Sequence, residues 1–191
     1  MNSKNPKAAL FGTSADPPTS GHEIILRELA KKYDLVITYA SNNPSKEHQE
    51  NLKNRSLLLK TLIDNLDISN IIFDNEITSP WAIKTIHKCK AKYHLKRINF
   101  VIGSDLLEEI FSWKNINDIL EEVNLYIIPR DGYELNKKHL DSIGKLHGTY
   151  EISSFKIPKV SSSLARSSKN FSFLPKSLIP ILKSNKLYRY N

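Results

Sequence analysis

Six short apolar, β-branched runs recur along this chain with helix-patterned stretches between them, and no other feature limits the fold as much. The runs cover residues 7–12, 34–40, 69–73, 97–103, 123–129 and 149–155. Most are continuous rather than alternating in polarity, as strands are when helices cover both faces of a parallel sheet. Segments 22–32, 51–65, 81–94, 105–111, 116–122 and 136–144 read as helices. A last helix over 175–184 opens on Pro175, which a first turn tolerates. The pattern predicts an α/β fold built on a doubly wound, Rossmann-like parallel sheet. In such sheets ligands lie beyond the carboxyl ends of the strands, where the strand order reverses. Chemistry is therefore expected at Gly12, where the first strand ends, and at Ser104-Asp105, where run 97–103 ends.

The length of 191 residues suits a single domain over 1–191, with its core about 7–190. A hydrophobic share of 40% and a charged share of 25% exclude a disordered tail, a collagen-like repeat and a disulfide scaffold. Cys89 is the only cysteine, so it reads as a buried small hydrophobe in a reducing compartment. The apolar run 8–11 is too short for a secretory leader, and no stretch approaches the length of a membrane span. The expectation is a cytoplasmic protein with no membrane partner. The net charge of +8 raises the question of nucleic acid. The lysines are scattered through 84–97, 137–145 and 169–189, however, with no aromatic RNA-binding motif or zinc-finger spacing. A small polyanion such as a nucleotide uses the same field more economically, so no nucleic-acid partner is expected. A homodimer would not be surprising for such a chain.

The loop between the first strand and first helix runs Gly12-Thr13-Ser14-Ala15-Asp16-Pro17-Pro18-Thr19-Ser20-Gly21-His22. Gly12 lets the backbone leave the strand without a side chain in the way. Thr13 and Ser14 supply hydroxyls and amides, and Thr19 to His22 lie where a helix N-terminus gathers free N–H donors and a positive dipole. Such a place attracts phosphate, and His22 adds a donor there, with a charge if protonated. A plain strand-to-helix turn capped by Thr19 or Ser20 explains the same residues. The segment is neither a P-loop nor a Gly-x-Gly-x-x-Gly fingerprint. It resembles the signature of the nucleotidylyltransferase superfamily, whose loop ends in His/Thr-x-Gly-His, matched by Thr19-Ser20-Gly21-His22. Val160-Ser161-Ser162-Ser163-Leu164-Ala165-Arg166 resembles the second signature, Ile-Ser-Ser-Thr-x-Ile-Arg. Read from the residues alone, its serines cap a helix whose first turn carries Arg166, or they mark an ordinary loop.

A third segment resembles one branch of that superfamily. Phe100-Val101-Ile102-Gly103-Ser104-Asp105, Trp113 and Arg130-Asp131-Gly132-Tyr133 are similar to the Ile-Ile-Gly-Ala-Asp…Trp…Arg-Pro-Gly-Tyr pattern of the nicotinate-nucleotide adenylyltransferase family. The resemblance implies adenylyl transfer from ATP to nicotinate mononucleotide, giving deamido-NAD and pyrophosphate in NAD biosynthesis. It implies Asp105 on the adenosine ribose beside Gly103, and Trp113 stacked on the pyridine ring of the acceptor, with Trp81, Ala82 and Arg130 around it. It also places Thr19, His22 and nearby amides on the α-phosphate, and Arg166 with Ser161, Ser162 and Ser163 on the leaving phosphates. Gly12, Thr13, Ser14 and Gly21 line the ATP loop. Lys46, in Asn43-Pro44-Ser45-Lys46, neutralises the acceptor's phosphate. Mg²⁺ is expected through the phosphates of ATP, without protein metal ligands. The chain departs from the family pattern at Thr13, Ala15 and Thr19, and at Lys84, which stands where the family has Asp. The alternatives are another phosphate acceptor, first nicotinamide mononucleotide, or a degenerate fold that senses nucleotide without turnover.

Overall fold

The computed structural model describes residues 6–189; residues 1–5, read above for a leader, and residue 190, at the end of the expected core, lie outside them. All six expected strands form: β1 (Ala8–Thr13), β2 (Leu35–Ala40), β3 (Ile71–Phe73), β4 (Ile98–Gly103), β5 (Val123–Ile128) and β6 (Thr149–Ile152). They pair in parallel in the order β3-β2-β1-β4-β5-β6. The order reverses between β1 and β4, so the two strand ends picked out from sequence are neighbours.

Seven α-helices occur among the described residues: α1 (Ser20–Lys32), α2 (Leu52–Leu66), α3 (Ala82–Lys92), α4 (Ile116–Glu122), α5 (Lys137–Lys145), α6 (Ser162–Ser168) and α7 (Ile179–Ser184). Successive side chains of a strand point to opposite faces. On β1, Ala9 and Phe11 enter one core with Leu26 and Leu29 of α1, Leu58 and Leu62 of α2, and Leu182 of α7. Ala8 and Leu10 enter the other, with Ile83, Ile86 and Cys89 of α3, Ile119 of α4 and Ile143 of α5. Burial on both faces is why the central runs read as continuous rather than alternating, whereas the edge strand β6 is largely exposed. The Cys89 thiol is pushed up to about 12, chiefly by burial, and stays unreactive.

Local chemistry sets the helix ends. Asn51 caps α2 by accepting from the Asn54 amide at 2.9 Å, and α2 stops where Asp67 turns left-handed at φ 50°. Two expected helices form differently. Segment 105–111 becomes two 3-10 turns, Ser104–Leu106 and Glu109–Ser112, joined through Leu107 and Glu108, as short connecting pieces often wind. Segment 175–184 opens as the 3-10 turn Lys176–Leu178 after Pro175, and the α-helix starts only at Ile179.

Gly12 also has a role other than the expected one. It lies inside β1, opposite Tyr39 of β2, and a Cβ there would collide with the Tyr39 hydroxyl and come within 2.5 Å of its Cζ. The glycine is required by close approach rather than by a turn. Overpacking of this kind costs about 1–3 kcal/mol, and each kcal/mol moves the melting temperature by about 2–4 °C for a chain of this size. Gly12→Ala is therefore expected to melt several degrees lower by circular dichroism; an unchanged midpoint would remove this reading.

Candidate active site

A cleft of about 1180 Å³ opens over the carboxyl ends of β1 and β4. It is larger than the ~300–1,000 Å³ typical of a site for one small ligand, and it has room for two joined nucleotides. Every site residue expected from the sequence lines it: Gly12, Thr13, Ser14, Thr19, Gly21, His22, Lys46, Trp81, Ala82, Gly103, Asp105, Trp113, Arg130, Ser161, Ser162, Ser163 and Arg166. Lys84 is exposed on α3 and does not line the cleft, so its charge reversal falls outside the site.

The start of α1 forms one end of the cleft. Thr19 is the N-cap residue, and His22 takes the third helical position, where a capping box usually carries Glu or Gln. The His22 Nδ1 accepts from the Thr19 backbone N–H at 3.0 Å, with the Thr19 hydroxyl 2.8 Å away. The ring proton therefore sits on Nε2, which donates to Thr13 Oγ1 at 2.8 Å. Surrounding protein, with a smaller contribution from Arg130, holds the imidazole down to about 4. His22 is thus a neutral, oriented N–H donor, and the charged form considered from sequence is not populated near neutrality. Thr19 is fully buried with its hydroxyl on the imidazole, so it orients His22.

Asp16 ties the rest of this loop in place. It is 2% exposed, and its carboxylate accepts from the Gln49 amide at 2.8 Å, the Glu50 amide at 3.1 Å and the Tyr188 hydroxyl at 2.8 Å. The peptide from Asp16 to Pro17 is cis. Arg166 donates to the Asp16 carbonyl and lies 3.5 Å from its carboxylate, and Ser162 donates to the Pro17 carbonyl at 2.8 Å. Two segments far apart in sequence therefore form one wall. Ser161 caps α6 by accepting from the Leu164 amide at 3.1 Å. Arg166 falls in the last turn of that short helix rather than the first. It still reaches the loop because helical side chains lean toward the N-terminus. Gly21 is packed against Ile157 and the Val160 carbonyl, 3.3 and 3.6 Å from where its Cβ would be, which holds the start of α1 against the segment leading into α6.

At the end of β4, Asp105 Oδ2 accepts from Arg130 at 2.7 Å, and Arg130 also donates to the Val160 carbonyl at 3.2 Å. The ion pair with Asp105 thus fixes the Arg130 guanidinium inside the cleft. Gly103 makes room for that pair: a Cβ would run into the Asp105 carboxylate and approach Arg130 Cδ to 2.9 Å. Asp105 Oδ1 and Trp113 Nε1 are buried without a hydrogen-bond partner, two unspent polar atoms on cleft-lining residues. Trp113 is half-buried, edge-on to Phe100 at 6.1 Å, whereas Trp81 is 36% exposed with Lys114 Nζ 4.8 Å above its ring.

Two polar cleft residues of consequence, Asp16 and His48, carry no role in the sequence reading. Asp16 was matched by position but given no task, since its partners Gln49, Glu50 and Tyr188 are distant in sequence. His48 lines the cleft with Nε2 3.3 Å from Ser14 Oγ. Its signal in the sequence was a histidine two residues after Lys46 in a polar loop. Among the described residues no group of three or more His, Cys, Asp and Glu could hold a metal ion, and no helix is long and apolar enough to cross a membrane.

The depressed His22 value has a consequence for stability. Its folded pKa of about 4 lies below the ordinary 6.5, so the unfolded chain binds this proton more readily. The stability linked to a neutral His22 is complete above about pH 6.5 and is lost as pH falls toward 4. Thermal melts of the native chain are expected to drop across that window, with a smaller drop in His22→Asn. Equal slopes would show that this imidazole is not held neutral.

Comparison with known proteins agrees with this geometry. The cytidylyltransferase-like family matches residues 10–167. A probable nicotinate-nucleotide adenylyltransferase of Synechocystis sp. is 30% identical over 96% of this chain and 99% of its own length. One of Helicobacter pylori is 33% identical over 70% of this chain and 82% of its own. The nicotinic acid mononucleotide adenylyltransferase of Plasmodium falciparum complexed with NaAD superposes with a TM-score of 0.80 at 21% identity, covering 97% of this chain and 98% of that one. With its two anion-facing segments joined at one cleft, this chain belongs to the cytidylyltransferase-like proteins and, within them, to the nicotinate-nucleotide adenylyltransferase family.

Proposed function

We propose that this protein joins the AMP part of ATP to nicotinate mononucleotide, forming deamido-NAD and releasing pyrophosphate. The observation that carries the reading is the junction of the two loops: Arg166 and Ser162 are bonded to Asp16 and Pro17, a few residues from His22. The names of the relatives support the choice of acceptor.

The acceptor's phosphate is already ionised at neutral pH, so its oxygen attacks the α-phosphorus in line without a general base. Catalysis then rests on positioning and on stabilising charge. His22 gives its Nε2–H to the α-phosphate, a bond that replaces or shares the one to Thr13, while Thr19 keeps the ring oriented. The start of α1 adds free amides and the positive end of a helix of 13 residues. Arg166 and Ser161–Ser163 take the leaving β- and γ-phosphates, and Lys46 neutralises the acceptor's phosphate. Asp105 Oδ1, unpartnered, accepts from a ribose hydroxyl, and Trp113 offers its face to the pyridine ring. Mg²⁺ would accompany ATP as its counter-ion and would neutralise charge on the phosphates, without ligands from this chain's side chains. The reaction sits naturally in the cytoplasm, where ATP is at hand.

Pyrophosphate release with MgATP tests this, comparing nicotinate mononucleotide with nicotinamide mononucleotide. A large preference for the acid is expected; a preference for the amide would move the protein to the sister activity. His22→Asn should lower the rate by about 10²–10³, the effect of one lost preorganised donor. Trp113→Ala should raise KM for the acceptor far more than KM for ATP, and equal rises would remove its stacking role.

A further inference from the structure

The segment joining β2 to α2 carries a histidine that the mechanism above leaves unused. His48 lines the same cleft as Ser14, Lys46, Ser161–Ser163 and Arg166. It is half-buried, and its Nε2 lies 3.3 Å from Ser14 Oγ. The backbone on its C-terminal side is strapped to the first loop, since the amides of Gln49 and Glu50 both donate to Asp16. Ser14 is held equally firmly, its carbonyl accepting from Arg55 at 2.7 Å while Arg55 also donates to the carbonyls of Ser41 and Glu50. His48 is therefore fixed over the loop that leads to His22, at the end of the cleft where Arg166 stands.

We propose that His48 is a further binding residue for the triphosphate of ATP, and that it takes up a proton as the triphosphate arrives. The inference rests on the adenylyl-transfer reading for the identity of the polyanion. Facing the imidazole are Arg55 from α2, Asp16 from the first loop, Lys46 from its own segment and Arg166 from α6. Glu47 is exposed beside it, and the Glu50 carboxylate is turned to the Asn54 side chain at 2.7 Å. The one facing carboxylate, Asp16, is already engaged by two amides and a tyrosine. Burial first, and then Arg55, Lys46 and Arg166, hold His48 below the ordinary histidine range against the opposing pull of Asp16. A triphosphate seated among these cations cancels their repulsion and adds negative charge of its own. Both changes favour the imidazolium, so the arriving anion creates one more cation to hold it. The free enzyme in turn avoids gathering four like charges at one spot.

Calorimetric titration of the full chain with MgATP, without acceptor, tests this. It is run near pH 7 in two buffers of different ionisation enthalpy. The native chain is expected to take up protons on binding, and His48→Gln to lose that uptake. The variant should bind MgATP about tenfold more weakly near pH 6.5, the equivalent of one pKa unit, with the gap closing toward pH 8.5. A purely structural role would weaken binding equally at every pH. Uptake that survives in His48→Gln, or that disappears only in His22→Asn, overturns the proposal, as does a pH-independent loss of affinity. MgATP that fails to bind the native chain overturns both readings. Proton uptake with no turnover of either mononucleotide overturns only the choice of acceptor.

Discussion

A carboxylate taken out of water is costly unless charge and hydrogen bonds surround it, and Asp16 meets that demand by drawing four parts of the chain to one point. Its oxygens hold the Gln49 and Glu50 amides and the Tyr188 hydroxyl, with Arg166 beside them. The loop after β1, the segment before α2, helix α6 and the C-terminal turn all meet there. Burial and the nearby carboxylate raise the Tyr188 phenol well above its usual range, so it remains a donor at any working pH. Arg55, 1% exposed, completes the junction by donating to carbonyls of the loops after β1 and β2. The loops at this end of the cleft are thus mounted on one hydrogen-bonded knot rather than standing independently.

The knot matters because the chemistry needs donors fixed in advance. Charge that develops on a phosphorus centre is best met by groups that need not reorganise. His22 illustrates this: one helical turn, one cap residue and one backbone amide fix its tautomer. Its neutrality follows from the packing around it, with Arg130 adding a smaller push. Arg130 is held in turn by Asp105, for which Gly103 makes space. The two ends of the cleft are therefore linked through ordinary packing around the switch between β1 and β4.

Much of this was legible from residues alone. Continuous apolar runs placed all six strands, and the reversal of strand order brought Gly12 and Asp105 to one cleft as expected for a doubly wound sheet. Resemblance to the family's motifs pointed to residues that line it. What local spacing does not carry is the set of neighbours. The Thr19 hydroxyl, at a helix start, lies against the His22 imidazole. Arg130 pairs with Asp105, 25 positions away in sequence. Segment 105–111 carries apolar residues that suit either winding, and it forms two short 3-10 turns rather than one helix.

Sequence by itself determined the fold class, the place of the cleft and a set of residues that line it, because periodicity and short motifs are local properties of a chain. Tertiary structure alone decided which groups are charged, which are already engaged and which remain free. Those properties depend on partners tens of residues away and on how much water each group has lost. Asp16 with Tyr188, Arg166 with the Asp16 carbonyl, and His48 over Ser14 are all such pairings. No spacing rule along the chain encodes them, since they arise only when the sheet brings its strand ends together.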